Sequence, residues 1–175
     1  KNVNKLNLSF EELESIVTQG KELGIYSYMR TGGEPLGRKA DIIKLSEKHN
    51  DCACHCYTNG TLVDQKLCDD MKRVGNLSLS ISLEGFEDAN DFRRGEGVYD
   101  KVLHAMDLLH ENGLIFGNSV CYTSKNMDAV KSGGNRTADC RGYRKGELHT
   151  ADTEVGWTKG SASLPERADK KRQSL

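Results

Sequence analysis

The stretch Thr31-Gly32-Gly33-Glu34-Pro35 places two glycines directly before a carboxylate and stiffens the exit with a proline. Glycines let a backbone approach a ligand closely and leave its carbonyls and amides bare. Bare carbonyls beside a carboxylate form a receptor for an ammonium group. Some fifty residues on, Ser82 offers a hydroxyl, and Arg93-Arg94-Gly95 offers guanidiniums that can pin a carboxylate bidentately. An ammonium receptor and a carboxylate receptor in one site suit an amino-acid group. Asn59, within Thr58-Asn59-Gly60-Thr61, and Thr123 add polar groups at corresponding positions. Taken alone, each of these segments reads equally well as a turn, and the arginine pair as a solvated charge pair.

The cysteines are a second source of chemistry. Cys52, Cys54 and Cys56 form CxCHC around His55. On a strand, alternate thiols stand about 6.5–7 Å apart on one face, too far for neighbours to share one ion without bending the strand. Iron–sulfur sites draw their cysteines from loops. The three therefore read first as small core residues, with a metal site as the alternative. Cys68 sits on an apolar helix stripe and reads as core. Cys121 and Cys140 take no role, and His104 and His110 are too far out of phase to act as paired ligands.

The elements that must hold these groups alternate. Ser9 with Glu12 is a capping box, followed by Phe10, Leu13, Ile16, Val17 and Leu23 at helical spacing and stopped by Gly24. Helical patterns recur over 39–49, after Asp64 up to Gly75, and from Val98 to Gly113. Strands are predicted over 25–31, 52–57, 77–83 and 115–122. The third alternates Leu77, Leu79, Ile81 and Leu83 with serines. Helices alternating with short strands predict an α/β fold with four parallel strands and outer helices. The polar and glycine segments then all fall at the carboxyl ends of the strands, where such folds bind ligands. A series that starts on a helix also predicts a strand before residue 1. Beyond about residue 131 the periodicity ends. Charged residues outnumber apolar ones, and 132–175 is expected to be a loosely packed tail beside a 1–131 core.

Composition narrows the classes. The 175 residues are 36% hydrophobic and 29% charged, with a net charge of −1. Nothing there favours nucleic acid or an anionic membrane surface. No apolar run reaches the roughly 18 residues of a membrane span. The start shows no export signal, and six cysteines without a disulfide-scaffold pattern suggest a reducing, cytoplasmic compartment.

TGGEP, then TNG, then the serine of ISLEG, then an RRGEG segment together resemble the radical S-adenosylmethionine (radical SAM) superfamily over roughly residues 8–128. The similarity is nearest to its peptide-modifying and sulfatase-maturing group. The resemblance implies a partial (β/α)6 barrel that binds S-adenosylmethionine. With a 4Fe-4S cluster, it yields a 5′-deoxyadenosyl radical for hydrogen abstraction. It places Gly32, Gly33 and Glu34 on the methionine amino group, and Ser82 with Arg94, or alternatively Arg93, on the ribose and carboxylate. Glu84, where the family often has aspartate, is expected to matter less than Glu34. The family's CxxxCxxC cluster motif does not occur in this sequence. It would lie after the first strand, just before a helix like the one at Ser9. The resemblance also implies an electron donor such as flavodoxin or ferredoxin, and leans toward a peptide or protein substrate. The competing readings are a non-catalytic truncated barrel and a CxCHC metal-binding module.

Overall fold

The structure, a computed structural model, describes residues 7–121, 123 and 126–128. The expectation of a loose 132–175 tail, and Cys140 with it, lies outside the described residues.

Four parallel strands form one sheet in the order β1-β2-β3-β4: β1 Ser27–Arg30, β2 Ala53–Thr58, β3 Leu77–Ser82 and β4 Phe116–Ser119. The helices between them are α1 Phe10–Glu22, α2 Lys39–Lys48, α3 Gln65–Val74, α4 Glu87–Arg94 and α5 Val98–Glu111, with a 3-10 turn at Pro35–Arg38. The predicted parallel α/β architecture is what the chain adopts. The Ser9–Glu12 capping box forms in both directions. Asp64 caps α3 by accepting from Leu67 N–H at 2.8 Å, and Gly75 ends that helix at φ +74°.

Two outer strands are shorter than the sequence pattern predicts. Ile25 and Tyr26 are exposed and precede β1 outside the ladder, and Ile115 before β4 is 84% exposed. The sheet alternates as period two requires. Cys54, Cys56, Leu77, Leu79 and Ile81 face the helices and join Ile42, Ile43, Leu67, Cys68, Met71, Val102, Met106 and Leu109 in the main core. The opposite face carries His55, Tyr57, Ser78, Ser80 and Ser82. There the ring nitrogens of His55 lie 2.8 Å from Ser78 Oγ and 2.8 Å from Ser80 Oγ. A smaller cluster of Val17, Leu45 and Cys52 seats α1. Ile16 and Leu23, predicted on the apolar side of α1, are exposed instead, because that helix packs on α2 and β1 through Phe10, Leu13 and Val17.

The helix α4 is absent from the sequence reading because its pattern is almost wholly polar and only Asn90 is buried. What marks it is charge order. Glu87 and Asp88 open it, and Arg93 and Arg94 close it before Gly95, complementing the helix dipole.

Candidate functional site

The carboxyl ends of the strands bring the four polar loops to one edge of the sheet. After β1, Thr31, Gly32 and Gly33 are exposed, and Gly32 sits at φ +101°, a conformation that strongly favours glycine. A Cβ on either glycine would meet no atom within 4 Å, so the loop has open space beside it. No described residue donates a hydrogen bond to the carbonyl of Gly32 or Gly33. Pro35 opens the 3-10 turn that follows, where its missing N–H is no loss.

The Glu34 carboxylate is half-buried and heavily used. Oε1 accepts from Leu36 N–H at 2.9 Å and from the Thr58 hydroxyl at 2.7 Å, and Oε2 accepts from Asn59 N–H at 2.9 Å. The side chain therefore caps the 3-10 turn and ties the first loop to the second. Among the described residues one lone pair of Oε2 remains unused, in the same loop as the two carbonyls. The Asn59 side chain is turned to its own loop and accepts from Thr61 N–H and the Thr61 hydroxyl.

The third and fourth loops are joined by a second acid. Glu84, just past β3, has no solvent exposure. Its Oε1 accepts from Arg94 Nε at 3.0 Å and from Arg94 Nη2, and its Oε2 accepts from Cys121 N–H at 2.9 Å. Arg93 Nη1 stands 3.2 Å from Oε2 and donates to the Cys121 carbonyl at 3.4 Å. Burial works against the Arg93 charge, but the Cys121 carbonyl and Glu84 outweigh it and hold the guanidinium above its ordinary value. Asn126, buried, donates to the carbonyls of Glu84 and Cys121, and it accepts from Thr123 N–H and the Thr123 hydroxyl. Asn90 accepts from Glu84 N–H at 3.2 Å. The Ser82 hydroxyl at the end of β3 has no described hydrogen-bond partner.

The residues predicted from the sequence thus fall into two groups. Gly32, Gly33 and Ser82 present polar groups with no hydrogen-bond partner among the described residues. Glu34, Asn59, Arg93, Arg94 and Thr123 are all held by other protein groups. Of the residues that hold them, Thr58 and Asn126 had no assigned part in the sequence, and Glu84 was expected only to matter less than Glu34. For Asn126 the usable signal is its place three residues after Thr123, the reach of a side chain folding back on a turn.

The CxCHC thiols do not converge. Cys54 and Cys56 lie in the main core, and Cys52 lies in the α1 cluster. Burial pushes Cys52 up and Cys56 up to about 11, so both stay neutral thiols at ordinary pH. Among the described residues no group of three His, Cys, Asp or Glu side chains forms a metal site.

The sequence profile of the Radical SAM superfamily matches residues 1–132. The chain belongs to the radical SAM superfamily. Among curated relatives, the Fe-coproporphyrin III synthase of Methanosarcina barkeri is 29% identical over 123 residues, covering 69% of this chain and 31% of that protein. The GTP 3′,8-cyclase of Thermodesulfovibrio yellowstonii is 35% identical over 112 residues, covering 61% of this chain and 34% of that protein. The solved structure of native anSMEcpe with bound AdoMet and the Kp18Cys peptide shares this radical SAM fold. Its TM-score is 0.56 at 24% identity, over 70% of this chain and 39% of that one. The chain thus spans about a third of the length of the curated relatives it matches. No helix among the described residues is long and apolar enough to cross a membrane.

Proposed function

We propose that this chain binds S-adenosylmethionine across the carboxyl ends of β1 to β4, as part of a radical SAM enzyme. The observation that carries the reading is the loop after β1, which holds two glycine carbonyls and a lone pair of Glu34 that no described residue engages. Such a set accepts the three N–H donors of an ammonium group. Ser82 supplies an unpaired hydroxyl, and Arg94 or Arg93 supplies the cation for the carboxylate. Thr31, Pro35, Asn59 and Thr123 shape the loops around them.

In this superfamily the bound cofactor, with a 4Fe-4S cluster, supplies a 5′-deoxyadenosyl radical that abstracts hydrogen from a substrate. We assign the described residues the share of binding and orienting S-adenosylmethionine, while the cofactors carry the chemistry. Membership over residues 1–132, and relatives named for porphyrin and GTP chemistry, support a shared cofactor half with substrate choice made elsewhere. The peptide in the anSMEcpe structure supports a peptide or protein as the substrate class. We also assign a small reducing protein such as flavodoxin or ferredoxin as electron donor. A cytoplasmic setting fits the five free cysteines among the described residues.

Calorimetric titration of the full-length protein with S-adenosylmethionine tests the reading. Saturable binding that Gly33→Val abolishes, with an unchanged thermal melt, is expected. Binding unaffected by that bulky side chain would remove the first loop from the site.

A further inference from the structure

Glu84 is a buried carboxylate that holds two arginines, and two guanidiniums on one carboxylate leave one positive charge over. That surplus is not sealed in: the Arg93 side chain is 39% exposed and Arg94 21%. On Arg94, Nε and Nη2 are turned to Glu84 Oε1, so among the described residues Nη1 keeps both N–H groups for another anion. Glu84 is fixed in turn by Cys121 N–H on its carboxylate, and by Asn90 and Asn126 on its backbone. Burying a carboxylate this deeply is unfavourable unless every lone pair is matched, and here the match sets the guanidinium's orientation.

We infer that Glu84 is the positioning residue for carboxylate recognition, holding Arg94 so that its free N–H groups meet the carboxylate of S-adenosylmethionine. The inference rests on the reading that the chain binds this cofactor. It separates two roles that a buried ion pair can have. If Glu84 acted through charge alone, it would oppose an incoming carboxylate, and neutralising it would tighten binding. If it acts by orientation, neutralising it frees the guanidinium to swing and weakens binding.

The test uses the full-length protein and two ligands, S-adenosylmethionine and 5′-methylthioadenosine. The second keeps the adenosine and sulfur but lacks the amino-acid end. Glu84→Gln preserves shape and removes charge. Calorimetry is expected to show S-adenosylmethionine binding about ten- to a hundred-fold weaker, and 5′-methylthioadenosine changed less than about twofold. Equal loss for both ligands would reduce Glu84 to a structural brace, and tighter or unchanged binding would also overturn the inference. If Glu84→Gln lacks a cooperative melt, Arg94→Lys replaces it, since lysine keeps the charge without the fork. The same split between ligands is expected, and equal effects would overturn the assignment. A wild-type protein that binds neither ligand would overturn the cofactor reading itself.

Discussion

Glu34, on the loop after β1, accepts the Thr58 hydroxyl at 2.7 Å and thereby fastens the first strand-end loop to the second. Glu84 does the same for the third and fourth loops through Cys121 N–H. Each of these acids spans a pair of neighbouring loops, and Gly32, Gly33 and Ser82 lie within two residues of one of them along the chain. Loops that carry function are ordinarily mobile. Here the orientation of the polar groups is set before any ligand arrives, which lowers the ordering cost of binding.

Gly60 is the tightest glycine of the site edge. It lies at φ +78°, and an added Cβ would come 2.9 Å from Ile81 Cγ2 in the core. Gly60→Ala therefore combines backbone strain with a core collision, and a loss of about 2–3 kcal/mol is expected. Gly32→Ala, at φ +101° with open space around it, incurs strain alone, about 1–2 kcal/mol. Urea unfolding of both variants checks the order. A Gly32 variant less stable than the Gly60 variant would contradict this packing.

The Cys56 thiol gives an alkaline signature. Burial is the main cause of its raised value of about 11, with Arg30 pulling the other way. The unfolded chain loses this proton near pH 8.5, and the folded chain holds it. The associated stability is therefore fully present below about pH 8.5 and lost as pH rises toward 11. The full drop expected from this residue is about 3 kcal/mol. Denaturation midpoints of wild type and Cys56→Ala at pH 8 and pH 10.5 test it. The variant should start lower and fall less.

Much of this layout is legible in the sequence. Leu77 to Leu83 alternate with serines, and the structure turns the leucines to the helices and the serines to the other face. Ser9–Glu12, Asp64 and Gly75 mark helix ends by local hydrogen bonding that needs no tertiary partner. The braces are not legible in this way. Glu84 acquires its partners from Arg94, ten positions away, and from Cys121, thirty-seven away, and no periodicity encodes such meetings. Helix α4 is hidden for a related reason. Its sequence is mostly polar and its one large apolar side chain, Phe92, is exposed, and what fixes it is the Asp91 carboxylate accepting from Gly97 and Tyr99 N–H groups at the start of α5.

Asn126 is the hinge pin of the fourth loop. It is buried, and its side chain makes four hydrogen bonds, to Thr123 twice and to the Glu84 and Cys121 carbonyls. Asn126→Ala strands buried backbone groups and is expected to cost about 2–3 kcal/mol. Hydrogen exchange should quicken at Cys121 and Thr123 and stay unchanged in α2 and α3. Uniform quickening across the chain would mean that the residue supports the whole core, not this loop.

The last prediction concerns the two parts Glu34 plays. Its carboxylate braces the loops through Leu36, Thr58 and Asn59, and the free lone pair of Oε2 faces the proposed ammonium site. Glu34→Ala removes both, so it is expected to lower the melting temperature and weaken S-adenosylmethionine binding together. Glu84→Ala is no neutral control, because it leaves two guanidiniums without their carboxylate. Glu34→Gln separates the parts. Its amide oxygen can still accept from Leu36 and Thr58, while its NH2 cannot accept from Asn59 and carries no charge for an ammonium. The stability loss should then be about 1 kcal/mol, well below that of the alanine variant. Affinity should still fall about ten-fold or more, the scale of one charge-assisted hydrogen bond. Thermal melts beside calorimetric titration of both variants decide it. A glutamine variant with wild-type affinity would leave ammonium recognition to the carbonyls of Gly32 and Gly33 alone.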